Sequence, residues 1–372
     1  MTKIDYNELR LHWFQSSRFE YEGKLVTPPD WTWCEGLMRI RKTMVKVAKT
    51  VDKLFRNPDR VRKGRAGVVS SKLGRDLLLC IGVDIRGVCE GFPEHRFDPY
   101  FNLFAEVLQR SQLHRSQYAQ RNVDLLNDFV EKLRDGVKRA GFMKNVRNHE
   151  RGAVKNAKRV RKYIDDLYGD YAKLLHVRLD LYYEIVWPRP EVSPVSSREM
   201  KVHRAMFMRH VRRTFGAAAV GHLWTIEYGE MKGPHIHMLL NFNGHKVQQG
   251  IVIAKQLGEY WQKVITKGRG RYWNINKYED EWEAKGLRGI GMIAHSDERR
   301  RENLVRAALY LVKTDLFVRL VMPGIGKTFG TGKFVPRKRS KAGRKRKGHG
   351  LTQWVQGLAD ARGGITRDLH PS

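Results

Sequence analysis

The stretch that decides the fold is His222–Gly244, HLWTIEYGEMKGPHIHMLLNFNG. Leu223–Tyr228 is a short apolar run, Gly229–Pro234 is rich in turn residues, and His235–Asn241 is a second apolar run, so the segment reads as a β-hairpin. Side chains alternate along a strand, so His235 and His237 leave one face and Ile236 the other. The first strand carries a single acid, Glu227. If the register puts Glu227 on the histidine face, two imidazoles and a carboxylate converge. That donor set suits a divalent metal with open positions for water and phosphate. Hairpin histidines also serve as polar surface or satisfied core groups, and His-x-His spacing alone does not separate these roles.

Upstream, Val177–Trp187 alternates, with Val177, Leu179, Leu181, Tyr183, Ile185 and Trp187 on one face and Arg178, Asp180, Tyr182 and Glu184 on the other. This predicts a strand with one face on a core, ended by Pro188 and Pro190. Ser196 and Glu199 form a capping box that opens a helix to about Phe215. Downstream, Val247–Ile265 reads as a helix with Ile253, Leu257, Trp261 and Val264 inward. Gly268–Tyr278 reads as a loop, Gly289–Ala294 as a short strand and Arg300–Leu320 as a long helix. The order strand, helix, hairpin, helix, strand, helix predicts an α+β domain, an antiparallel sheet with helices on one face. On the last helix Leu304, Ala308, Leu311 and Val318 form the apolar face, and Tyr310 and Lys313 project from roughly the opposite side. A tyrosine with an ammonium one turn away has the elements of a phosphodiester nucleophile, because the cation favours phenolate.

The first part of the chain predicts mostly helix, at Leu37–Phe55, Phe101–Gln117 and Arg121–Ala140, with Leu77–Val83 a strand or a buried piece of helix. In Met143–Tyr163, Lys144, Arg147, Arg151, Lys155, Lys158 and Lys162 recur every three or four residues, either a basic stripe for nucleic acid or a solvated face. The expected organisation is a helical basic region over 1–165, an α+β domain over 166–335 and a disordered basic tail over 336–372. Pro336–Gly350 holds eight Lys and Arg and no acid, and Arg337, Lys338, Arg339, Arg344, Lys345, Arg346 and Lys347 are expected to contact phosphate backbone.

Across 372 residues, 71 Lys and Arg stand against 39 Asp and Glu, a formal charge of +32. Such an excess implies a polyanionic partner, most simply nucleic acid, with an anionic membrane the competitor. No apolar run reaches the roughly 18 residues of a spanning helix. The cysteines Cys34, Cys80 and Cys89 lack zinc-ligand spacing and suggest a reducing cytoplasm. Gly324–Thr328, GIGKT, is not a P-loop, since Val321 stands where the first glycine belongs.

In order, these pieces resemble the HUH endonuclease superfamily: an acid on one strand, His235-Ile236-His237 on the next, and Tyr310-Leu311-Val312-Lys313 on a later helix. More narrowly, the chain resembles the inovirus Gp2 family, also called the YagK/YfjJ C-terminal domain family. The resemblance is carried by VRLDLYY from Val177, the hairpin from Leu223, GEYW from Gly258, GRGRYWNIN from Gly268, GMIAHSD from Gly291, AALYLVKTD from Ala307 and KTFGTG from Lys327. It covers about Leu174–Phe334. It departs from the family at Lys327–Lys333, where Arg-Thr-Phe-Gly-Thr-Ser is usual, and at Ile275, where Cys is usual. The resemblance implies an HUH/RRM-like fold and a replication-initiation type of single-strand nicking in a phage-like or integrated mobile element. It implies Mg or Mn held by His235, His237 and Glu227, with Tyr310 the nucleophile and Lys313 its helper. The implied partners are single-stranded or extruded origin DNA and a host helicase and polymerase. Tyr272 and Trp273 either stack on bases or sit in the core. A non-catalytic nucleic-acid-binding or regulatory protein, or a relaxase- or transposase-like enzyme, are the competing expectations.

Overall fold

The first half is mostly helical as its apolar spacing predicts, but the helix expected over Leu37–Phe55 ends at Val47, leaving Val51 exposed and Phe55 in a strand, and the one expected over Phe101–Gln117 ends at Arg110. A computed structural model describes residues 19–21, 24–26, 30–58, 68–92, 94–111, 113, 122–184, 195–229, 233–321 and 323–336. A hairpin of β1 (Phe19–Tyr21) and β2 (Lys24–Val26) precedes α1 (Asp30–Val47), and β3 (Phe55–Arg56) pairs with β4 (Val69–Ser70). Then come α2 (Lys72–Ile81), α3 (Ile85–Gly91), β5 (His95–Phe97), α4 (Pro99–Arg110), α5 (Val123–Lys138) and α6 (Phe142–Asp170). The ambiguous Leu77–Val83 run is helix, started by Ser71, whose hydroxyl accepts from the Gly74 N–H at 3.0 Å. Leu37, Ile40, Leu77, Phe104, Phe129 and Leu133 meet in one core. Inside it Arg41 is 1% exposed and paired with Asp98 at 2.6 Å and with Glu150.

The second half is an antiparallel sheet of β6 (Lys173–Tyr183), β7 (Ala219–Gly229), β8 (Gly233–Asn243), β9 (Gly270–Asn274), β10 (Gly291–Ala294) and β12 (Phe329–Thr331), with β11 (Val318–Leu320) pairing β5 instead. The order is β10-β6-β8-β7-β12, and β9 shares with β10 the edge of β6 away from β8. Its helices are α7 (Ser197–Phe215), α8 (Gly250–Tyr260), α9 (Glu279–Ala284) and α10 (Glu298–Lys313). The capping box holds, the Ser196 hydroxyl accepting from the Glu199 N–H at 3.1 Å.

In the second half, four expectations about its elements change. The predicted Gly268–Tyr278 loop contains β9, in which Tyr272 packs on the core and Trp273 turns the other way. A π-turn, Trp261–Ile265, follows α8 and carries one extra residue, so Ile265 is buried at 3% and Val264 exposed at 49%. The last helix stops at Lys313 rather than near Leu320, because the chain leaves it to pair β11 with β5. Helices also cover both faces of the sheet. Val177, Leu179, Ile236 and Leu240 pack with residues of α7 and α8, while Leu174, Leu223, Leu239 and Ile293 pack with residues of α6 and α10. The strand face that reads as solvated in sequence is buried, with Arg178 8% and Asp180 1% exposed.

Tyr310, Leu316, Phe317 and Val318 belong to the core of the helical half, and α6 contributes Val146 and Ala153 to that core and Val160 and Ile164 to the next. The position near 165 expected to divide two regions therefore lies inside one continuous helix. Arg337, Lys338, Arg339, Arg344, Lys345, Arg346, Lys347 and the Lys313 side chain lie outside the described residues. Among the described residues no helix is long and apolar enough to cross a membrane.

Candidate metal centre

Strand register builds the site. Glu227 lies opposite His235, Thr225 opposite His237, and Asp180 opposite His237 on its other side. Directly paired residues share a face, so Glu227, His235, His237 and Asp180 all point to the side of α6 and α10. Ligand atoms of Glu227, His235 and His237 lie within 4.8 Å of one another. The His237 Nε2 is 3.3 Å from the Glu227 Oε2, and the two imidazole centroids are 4.7 Å apart at 88°.

The protons on these rings follow from their partners. A carboxylate only accepts, so the 2.6 Å contact between the His237 Nδ1 and the Asp180 Oδ1 puts the proton on Nδ1. Arg178 donates from Nε to the same Asp180 oxygen at 3.1 Å, and its Nη2 lies 3.0 Å from the His237 Nδ1 itself, the longer of the two contacts at that nitrogen. A carbonyl also only accepts, so the 3.0 Å contact of the His235 Nδ1 with Gly233 O fixes the second proton. By the same rule the Glu227 Oε2, 3.3 Å away, accepts from the His237 Nε2, so a divalent cation would bind there by displacing that proton. Thr314, just past α10, donates to the Glu227 Oε1 at 3.3 Å. Two anchored imidazoles and an oriented carboxylate are the ordinary surroundings of a bound divalent cation, and the residues present fit one.

Charge in the centre is strongly coupled. Burial pulls the His237 pKa down, but Asp180 and Glu227 outweigh it and the net shift is upward. Burial pushes Glu227 up, yet His237, His235 and Arg178 outweigh that and hold it low. Burial pushes the Asp315 carboxyl up to about 7, opposed by Arg319 and reinforced by Glu227. His95, from β5, is pushed down to about 4 by burial despite the nearby Glu227. Residues of the helical half thus contribute to the field at the site.

The structure brings Glu227, His235 and His237 together as sequence predicts. Tyr310 does not project away from the core: it is 4% exposed and packs within the core that holds Leu316 and Phe317. Periodicity misplaces it because the C-terminal half of α10 is enclosed on more than one side, with Leu309, Leu311 and Val312 also buried. It lies one turn before Thr314, on the same side of α10 as the contact to Glu227. Tyr272 is packed against the core and Trp273 lies opposite Asp180, stacked on Tyr278 at 5.3 Å and 17°. The stripe residues of α6 are all exposed, Lys162 pairing with Asp166 at 2.9 Å.

Asp180, Arg178, Thr314, Asp315 and His95 are site residues that the sequence reading does not identify. For Asp180 the usable signal was its place on the non-core face of an alternating strand. For the others the contacts depend on long-range packing that leaves no local pattern. Comparison with known proteins returns no match to this chain, from protein-family models, curated proteins or solved structures.

Proposed function

We propose that the protein is a metal-dependent nickase of the HUH type, cutting single-stranded DNA through Tyr310 to start rolling-circle-like replication of a mobile element. The observation that carries this reading is the Glu227–His235–His237 cluster, with the two Nδ1 atoms anchored by Asp180 and Gly233. The net charge of +32 supports a polyanionic substrate. A divalent cation bound there supplies Lewis-acid polarisation of the scissile phosphate. Two imidazole donors favour Mn over Mg in affinity, since Mg prefers an all-oxygen shell.

The chain's own residues do the rest. Asp180 keeps the proton on the His237 Nδ1, and Thr314 orients the Glu227 carboxylate. The Tyr310 hydroxyl loses its proton to solvent water, with Lys313 favouring the phenolate, and the phenolate oxygen attacks phosphorus. The bond to the 3′-oxygen breaks, and that oxygen takes a proton to become a 3′-hydroxyl. The 5′-phosphate stays on Tyr310 as a phosphodiester. Attack of a 3′-hydroxyl on this bond reverses the step and rejoins the strand. The free 3′-hydroxyl primes a polymerase, with strand separation left to a separate helicase. Because Tyr310 is 4% exposed, substrate entry has to displace packing around Leu316 and Phe317.

The test is a nicking assay with the full chain and labelled single-stranded DNA from its own element, with Mn, Mg or EDTA, run on a denaturing gel. A metal-dependent covalent adduct is expected, lost in Tyr310→Phe and in His235→Ala/His237→Ala. DNA binding without an adduct would favour a regulatory protein on this fold. An adduct that survives Tyr310→Phe would assign the nucleophile elsewhere.

A further inference from the structure

The nicking chemistry makes no use of the outer face of α6. Lys144, Arg147, Arg151, Lys155, Lys158 and Lys162 are all exposed there. At about 100° and about 1.5 Å per residue they fall within an arc of roughly 80° and run for about 27 Å. Arg159, also exposed, flanks the line. The single acid between Lys144 and Lys162 is Glu150, and it turns inward to the buried Arg41. The opposite side of α6 is fixed by Val146 and Ala153 in one core and Val160 and Ile164 in the other. The stripe is therefore an almost purely cationic line on a rigid support.

Its composition selects the partner. Surfaces that follow a single strand interleave cations with aromatic rings, because unpaired bases need something to stack on. Between Lys144 and Lys162 the only ring is His149, which is buried with its Nε2 3.2 Å from Leu316 O. A line of cations without rings suits phosphates and offers unpaired bases nothing to stack on. A duplex presents phosphates outward and keeps its bases stacked within, so it loses nothing on such a surface.

We propose that the outer face of α6 is a sequence-independent docking site for duplex DNA, distinct from the metal centre. Resting on the nickase reading, this face would hold the double-stranded arm of the substrate.

The test is fluorescence anisotropy of the full chain on a blunt duplex of arbitrary sequence and on one of its single strands, over a range of salt. Each phosphate contact contributes about 0.9 to the slope of log K against log salt for duplex. Arg151→Gln/Lys155→Gln/Lys158→Gln is expected to lower the duplex slope by about 2 to 3 on that basis. Duplex affinity at low salt should fall at least tenfold, with little change for the single strand. An unchanged duplex slope overturns the proposal, and so does an equal fall on single strand. Arg151→Lys/Lys155→Arg/Lys158→Arg keeps the charge and should keep the wild-type slope. A fall in that variant too would mean damaged folding rather than lost phosphate contacts, and would also count against the site. Tyr310→Phe should retain the duplex slope whether or not it abolishes the adduct, so this inference and the nickase reading fail separately.

Discussion

Asp180 is the residue on which the candidate metal centre most depends beyond Glu227, His235 and His237. With its carboxylate 2.6 Å from the His237 Nδ1, it fixes a proton on that nitrogen and turns Nε2 toward Glu227. Asp180→Asn keeps the volume and removes the charge, and an amide can satisfy Nδ1 in either protonation state. Loss of such a partner weakens metal binding by about 10- to 100-fold, a change that calorimetric titration with Mn would detect. Unchanged affinity would mean that Glu227 and His235 alone orient the site. Elsewhere on this face, His176 is 0% exposed, with its Nε2 2.7 Å from the Tyr168 hydroxyl and its Nδ1 2.7 Å from the Asn241 Oδ1. Burial pulls its pKa down to about 4 against an ordinary 6.5, the Asn241 contact opposing only in part. The folded state therefore binds the proton less readily than the unfolded chain. This stability is fully present above pH ~6.5 and is lost as pH falls toward ~4, by about 3 kcal/mol in all. Urea midpoints measured across that range should fall less steeply in His176→Asn than in wild type. The Glu227–His235–His237 cluster was legible because a two-residue period and one hairpin place it. Asp180 was not, because its pairing with His237 joins distant segments and no local pattern encodes that register.

At the scale of elements, what depends on neighbours in sequence was readable and what depends on packing was not. The Ser196 cap and the apolar stripes of α1 and α5 are local, and they formed. β9 was hidden because its glycines and aromatics read as loop, while its real determinant is the free edge of β6. The covering of both faces was hidden because Arg178 and Asp180 look solvated until their buried partners are known. The π-turn after α8 offers a direct test. A regular helix would bury Val264, whereas the structure exposes it and buries Ile265. Val264→Ala should therefore change stability by less than about 0.5 kcal/mol, as surface substitutions do. Ile265→Ala should cost about 2 to 5 kcal/mol, as buried large-to-small changes do. Denaturant unfolding of the pair decides between the registers, and the reverse ranking would remove the π-turn.

For the whole molecule, the question is whether the helical half and the sheet are one folding unit. Arg41 is the most informative place to ask. It is 1% exposed, pairs with Asp98 at 2.6 Å and with Glu150, and its guanidinium lies 5.8 Å from the centroid of Phe317. It thereby ties α1, the start of α4 and α6 to the turn that follows α10. The Asp98 N–H donates to Phe317 O at 2.9 Å, and Thr314, three residues earlier, holds Glu227. Arg41→Met would leave two carboxylates facing each other in a dry core, which costs about 3 to 5 kcal/mol when one member of a buried ion pair is removed. If the halves were independent, this loss would be confined to the first, and the sheet would keep its stability and its metal. The shared core argues otherwise, since Tyr310 and Phe317 pack with the helical half and α6 runs through both. Urea unfolding of Arg41→Met should therefore show one cooperative transition at lower urea, with helical signal and Mn binding lost together. Arg41→Met/Asp98→Asn/Glu150→Gln, which removes the stranded charge, should recover most of the midpoint. Two separated transitions, with Mn retained after the first, would show that the helical half is an appendage and that the metal centre stands on the sheet alone.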